Sequence, residues 1–148
     1  MRFSHRSTEG WTFDPERTYD QYDAMKPRGL WLSVDGDWER WLDEWGYRDD
    51  ERWGTSTTFF RVDLDRCLVI DTTDKIDAFS LAYIKKNQHA GSFMLLDWEP
   101  LSKMFAGLVI APYLWHRRLH EDTGWYYGWD CASACIWDLS VLEVTDGS

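Results

Sequence analysis

Eleven tryptophans in a chain of 148 residues restrict what this sequence can fold into more than any other feature. Each indole brings a large apolar surface and one N–H that needs an acceptor once it leaves water. A chain of this length builds one core, and one core cannot absorb all of those rings beside seven tyrosines and seven phenylalanines. Several rings are therefore expected at a cleft, a surface or an interface. Aromatic residues at 17% and hydrophobic residues at 44% exclude a disordered chain. They imply a core filled by rings more than by branched aliphatics.

The formal net charge of −10 works against the phosphate backbone, whose binding is driven by Lys and Arg displacing counterions. Non-specific nucleic-acid binding is thus not expected, although a single nucleotide gripped by a few basic and backbone groups is compatible with it. Neither an apolar run of signal-peptide length in Met1–Trp11 nor a run of the ~18–20 apolar residues that span a bilayer occurs. The expectation is a cytoplasmic chain with no membrane partner. Cys67, Cys131 and Cys135 form an odd set, expected as reduced thiols. The four-residue step from Cys131 to Cys135 is not that of a zinc ribbon, so no metal is expected.

No repeat, low-complexity tract or linker interrupts residues 1–148, which read as a single domain. Arg2–His5 is a strand candidate, followed by a turn-rich stretch through Asp23 that is expected to cover something. Leu30–Val34 alternates as a strand does. Asp37 is placed to cap a helix whose Trp38, Trp41, Leu42 and Trp45 fall on one face, expected to be buried. Thr57–Asp63 and Cys67–Ile70 are further strands, and Thr73 is expected to cap a helix with Ile76, Phe79, Tyr83 and Ile84 as its apolar stripe. Trp98-Glu99-Pro100 suits the first turn of a third helix. Gly107–Ala111, Trp125–Trp129 and Cys135–Asp138 complete the strands, with Ser140–Val144 extending the last. Without a strict alternation of strand and helix, the class is α+β.

Three stretches, in order, resemble the motifs of the ADP-ribosyltransferase superfamily, in its poly-ADP-ribose-polymerase branch. Phe3-Ser4-His5-Arg6-Ser7 is similar to a first strand ending in His-Gly-Ser, matching at His5 and Ser7. Gly29-Leu30-Trp31-Leu32-Ser33 is similar to Gly-Ile-Tyr-Phe-Ala/Ser, with Trp31 in place of the tyrosine. Ser133-Ala134-Cys135-Ile136-Trp137-Asp138 is similar to Glu-Tyr-Ile-Val-Tyr-Asp, with Ser133 in place of the glutamate. Over most of its length the chain also looks like a group of small bacterial and phage proteins.

The resemblance implies a split antiparallel or mixed sheet flanked by short helices, NAD as cofactor, and transfer of ADP-ribose to an acceptor: a protein, a nucleic-acid end or a small molecule. Cleaving a nicotinamide–ribose bond passes through an oxocarbenium-like state, so the ring and both ribose hydroxyls must be held in a bent geometry. By that logic His5 meets a ribose hydroxyl with Ser7 supporting its strand, Trp31 stacks on nicotinamide, and Gly29 and Ser33 line the pocket. The result would be a slot between His5 and Trp31. The anion that stabilises the developing cation would come from Asp130, the nearest carboxylate before the Ser133 strand, with Asp97 as second choice. Arg6 or Arg28 would meet the pyrophosphate.

Two other readings compete. Serine at 133 favours a non-catalytic nucleotide- or ADP-ribose-binding module. A small acidic, Trp-rich domain also suits a protein–protein inhibitor facing a basic partner, presenting an exposed cluster among Trp45, Trp53, Trp125 and Trp129 and no defined pocket. His116 and His120 lie four apart, but Arg117 and Arg118 between them would repel a metal ion. Asp43, Glu44, Asp49, Asp50 and Glu51 read as a solvated acidic helix end and loop.

Overall fold

The alternation of buried and outward residues read in the sequence produces strands that join one sheet. The computed structural model describes residues 1–85 and 94–147. Its strands are β1 (Phe3–Ser7), β2 (Leu30–Val34), β3 (Ser56–Val62), β4 (Cys67–Ile70), β5 (Gly107–Ile110), β6 (Ser133–Ile136) and β7 (Leu142–Thr145). They form a seven-stranded sheet in the order β4-β5-β6-β2-β1-β3-β7. Only β4 and β5 run parallel. The chain is thus one mixed α+β domain organised on one sheet. Between β1 and β2 the ladder covers just Phe3↔Val34 and Ser4↔Ser33.

Both faces of the sheet are covered. Leu68, Ile70, Leu108, Ile110, Cys135 and Trp31 face a ring-rich core with α2 (Thr73–Tyr83), α3 (Trp98–Met104) and the segment 121–128. Trp98, Trp125, Trp129 and Tyr126 fill it, each at most 1% exposed. The intervening residues Leu30, Leu32, Val34, Val109, Ala134 and Ile136 face a more aliphatic core with Phe3 and Phe60. The turn-rich N-terminal stretch does cover something: Trp11 and Phe13 pack on this second core, Phe13 edge-on to Phe60 at 5.1 Å.

Two helices begin one residue earlier than the sequence pattern suggests. Gly36, at φ 74°, is the N-cap of α1 (Asp37–Glu44), and Asp37 is its first helical residue. Asp35 at φ 53° and Gly36 make a left-handed pair that turns β2 directly into the helix. Asp37 instead uses its Oδ2 to accept the Ala132 N–H at 2.7 Å, fastening α1 to the chain entering β6. Thr72, not Thr73, caps α2 through the Lys75 N–H.

Two expectations are corrected. Residues 121–128 form short 3-10 turns broken at Thr123, not a strand, because His120 caps the Asp122 N–H and the rings there pack side-on against α2. Ser140–Val144 does not extend β6. Asp138 caps a turn over Leu139–Val141, and β7 then pairs with β3 at the far edge of the sheet.

Candidate functional site

The sheet face carrying Trp31 and Ser133 is only partly filled by the ring-rich core, and the remainder is a cavity of about 320 Å³. That is the lower end of the ~300–1,000 Å³ usual for ligand sites. Its base is Trp31 and Ser133, its roof is Trp38, Trp41 and Leu42 of α1, and Arg52 and Trp53 close one side. Residues 128–131, entering β6, make another part of the wall, and Arg6 and Lys26 complete the lining.

The α1 roof differs from its expected form. Of the aromatic face read as buried, only Leu42 is; Trp38 and Trp41 are half-buried over the cavity, and Trp45 is 61% exposed. The helix spans a space instead of packing on a core. Hydrogen bonds hold it there. Trp38 Nε1 donates to Ser133 Oγ at 2.8 Å, and the Trp38 N–H donates to Ser33 Oγ at 3.1 Å. Ser33 thereby satisfies one of the free N–H groups of the helix start, and its own hydroxyl turns to Glu39 at 3.3 Å.

Of the residues singled out in the sequence, Trp31, Asp130, Ser133 and Arg6 line this cavity. The Ser133 hydroxyl is fully engaged: it accepts from Trp38 and donates to the Cys131 carbonyl at 2.9 Å. Asp130 is the one carboxylate among the lining residues, and its Oδ1 accepts from Arg118 at 3.1 Å. His5 lies elsewhere. It alternates with Arg6 along β1 and so shares the face of Phe3 in the aliphatic core. Its Nδ1 donates to the Trp31 carbonyl at 2.8 Å and its ring sits 4.5 Å from Trp11. Burial holds its imidazole below the ordinary pKa, the bond to Trp31 opposing that shift. The cavity is therefore lined by Arg6 and Trp31, where the expected slot lay between His5 and Trp31.

Ser7, Gly29, Ser33, Arg28 and Asp97 are outside the lining. Gly29 has a packing reason: a Cβ there would stand 2.5 Å from the Ile136 carbonyl oxygen and 2.8 Å from Cys135 Sγ. Arg28 sits over Tyr22 at 5.3 Å. Asp97 occupies the N-cap position of α3.

The electrostatics of the cavity oppose those of the whole chain. Arg6 and Lys26 have no carboxylate partner among the described residues. Arg6 donates from Nη2 to the Arg48 carbonyl, and the Lys26 ammonium lies 5.0 Å over the Trp31 ring. Among the described residues, three buried side-chain polar atoms lack a hydrogen-bond partner, and two of them, Arg6 Nε and Trp129 Nε1, belong to cavity-lining residues. Cys131 adds no nucleophile: its thiol pKa is pushed up to about 12 by burial. All three cysteines are free and buried.

The sequence reading missed Lys26, Trp38, Trp41, Arg52, Trp53 and Trp129 as cavity residues. One signal was present in α1: its apolar face holds rings and a single aliphatic residue, Leu42, which suits a roof better than a packed interior.

Neither family models, curated proteins nor solved structures match the chain. No group of His, Cys, Asp and Glu suited to a metal ion occurs among the described residues, and no helix there is long and apolar enough to cross a membrane.

Proposed function

We propose that the cavity binds a nucleotide of the NAD type, and that the chain is an ADP-ribosyltransferase-like protein. One observation carries this reading. In a chain of net charge −10, an aromatic-walled cavity gathers two cations without carboxylate partners and two buried N–H groups without acceptors. A ligand that fits must offer a flat ring to Trp31 and Trp129 and oxygen acceptors, anionic ones above all, to Arg6 and Lys26. Nucleotides combine these features. A dinucleotide would lodge one half inside and leave the other at the mouth.

Transfer of ADP-ribose would rest on Asp130, the carboxylate already at the wall, with Trp31 holding the leaving ring. A second reading is binding without transfer, favoured by the Arg118 bond to Asp130 and by the engaged Ser133 hydroxyl.

Calorimetric titration with NAD tests the proposal. Saturable binding lost in Trp31→Ala and Arg6→Ala and kept in His5→Ala is the expected result, and absence of heat at millimolar NAD removes NAD from the account. Release of nicotinamide, abolished in Asp130→Asn, separates transfer from binding alone.

A further inference from the structure

Next to the cavity, and sharing Trp41 and Trp53 with its lining, four rings gather into one cluster with Trp45 and Tyr47. Trp41 stands 6.3 Å from Trp45, 6.2 Å from Tyr47 and 5.5 Å from Trp53. Tyr47 and Trp53 stack at 5.7 Å with planes 20° apart. Trp45 is 61% and Trp53 44% exposed, a large indole area for a chain to leave in water. Two bonds tie the cluster to its surroundings: Tyr47 N–H donates to the Leu42 carbonyl at 2.8 Å, and Arg6 of β1 reaches the Arg48 carbonyl.

Apart from Arg6, which is turned to the Arg48 carbonyl and lines the cavity, the unpaired charges near these rings in sequence are carboxylates. Arg48 is paired to Asp43 at 3.0 Å and Arg52 to Asp50 at 2.6 Å. Exposed Glu44, Asp49 and Glu51 have no ion-pair partner among the described residues. Indole faces attract cations, Arg guanidinium most of all, and neighbouring carboxylates strengthen that attraction. The same carboxylates repel phosphate.

We infer that the Trp41–Trp45–Tyr47–Trp53 platform docks an arginine-rich segment of a partner protein, its guanidinium groups stacking on the rings and pairing with Glu44, Asp49 and Glu51. Trp45, Glu44 and Asp49 lie outside the cavity lining and the assay contains no nucleotide, so failure here and failure of the nucleotide reading are separable.

The probe is a capped peptide of alternating Arg and Gly, titrated calorimetrically into the full chain without nucleotide. Its citrulline counterpart keeps shape and loses charge. Binding of the Arg peptide, weakened about fivefold or more in Trp45→Ala and about tenfold in Glu44→Lys/Asp49→Lys, supports the inference. Trp45 and both carboxylates are exposed, so these variants retain the fold, which circular dichroism checks. Any of four results overturns it: no binding of the Arg peptide; equal binding of the citrulline peptide; an equal loss in Asp65→Lys/Glu121→Lys, which would leave net charge as the sole cause; or tighter, Trp45-dependent binding of a single-stranded oligothymidylate, which would make the platform a base-stacking surface.

Discussion

Replacing Ser133 by alanine separates a structural role from a ligand role at the position where the proposed ADP-ribosyltransferase likeness would put a glutamate. The Ser133 hydroxyl makes two hydrogen bonds, accepting from Trp38 Nε1 at 2.8 Å and donating to the Cys131 carbonyl at 2.9 Å. A net hydrogen bond contributes ~0.5–1.5 kcal/mol, so losing both removes about 1–3 kcal/mol. Trp38 is half-buried beside the cavity and water can replace its lost partner, which puts the expected loss near the lower half, about 1.5 kcal/mol. At this chain length 1 kcal/mol shifts Tm by about 2–4 °C, giving a fall of about 3–6 °C. Urea unfolding followed by far-ultraviolet circular dichroism measures the loss, with an unchanged m-value showing that the two end states are the same. NAD binding, measured below the transition, is expected to persist. Unchanged stability together with lost NAD binding would refute the reasoning, because the hydroxyl would then serve the ligand and not the α1 roof.

Gly29→Ala tests packing against cofactor contact: with backbone oxygen 2.5 Å from the new Cβ, it is expected to cost about 3 kcal/mol or more. Gly124→Ala, whose nearest contact is Met94 Cβ at 3.8 Å, should change thermal stability by no more than about 0.5 kcal/mol. His5 carries a pH dependence. Its folded pKa lies below 6.5, so the unfolded chain takes the proton first and stability falls as pH drops from 6.5 toward the folded value. Denaturation midpoints of wild type and His5→Gln should therefore diverge as pH is lowered through that window, the variant losing less; parallel curves would show that His5 titrates normally. Trp125 and Trp129 are both at most 1% exposed, but only Trp125 has its N–H bonded, to Ser80 Oγ at 3.1 Å. Trp125→Phe should cost about 2 kcal/mol more than Trp129→Phe, which sheds an unpartnered donor along with ring volume; equal losses in paired urea titrations would mean that water satisfies Trp129.

The strands were legible because their side-chain alternation is local. Leu30–Val34 and Cys67–Ile70 fall where the pattern put them. Failures came where a distant partner decides. Residues 125–129 carry enough ring surface for a strand, yet the choice of a 3-10 turn depends on the contacts that Trp125 and Tyr126 find with α2. Likewise the 3.6-residue spacing of Trp38, Trp41 and Trp45 specifies a face and not what that face meets. The site was half-legible for the same reason. Trp31 and Ser133 are singled out by motif likeness, Asp130 by its place before the Ser133 strand and Arg6 by the fit of arginine to phosphate, but Lys26 and Trp53 reach the cavity from turns whose placement no local pattern encodes.

Four of the indoles show how this chain handles its tryptophans. Trp98 donates to the Ala24 carbonyl, Trp137 to the Phe105 carbonyl, Trp125 to Ser80 and Trp38 to Ser133. Each bond also joins segments distant in sequence, so the N–H that makes a buried indole costly becomes a tie between elements. Trp129 is as deeply buried as Trp98 and Trp125 and packs edge-on to Trp31 and Trp125, but it has no such acceptor. Trp129 lines the same cavity as Arg6, which carries its own unpartnered Nε, so one occupant is placed to meet both orphan donors. An acceptor-bearing ring bound there would recover, in binding affinity, the desolvation cost that the folded chain otherwise carries.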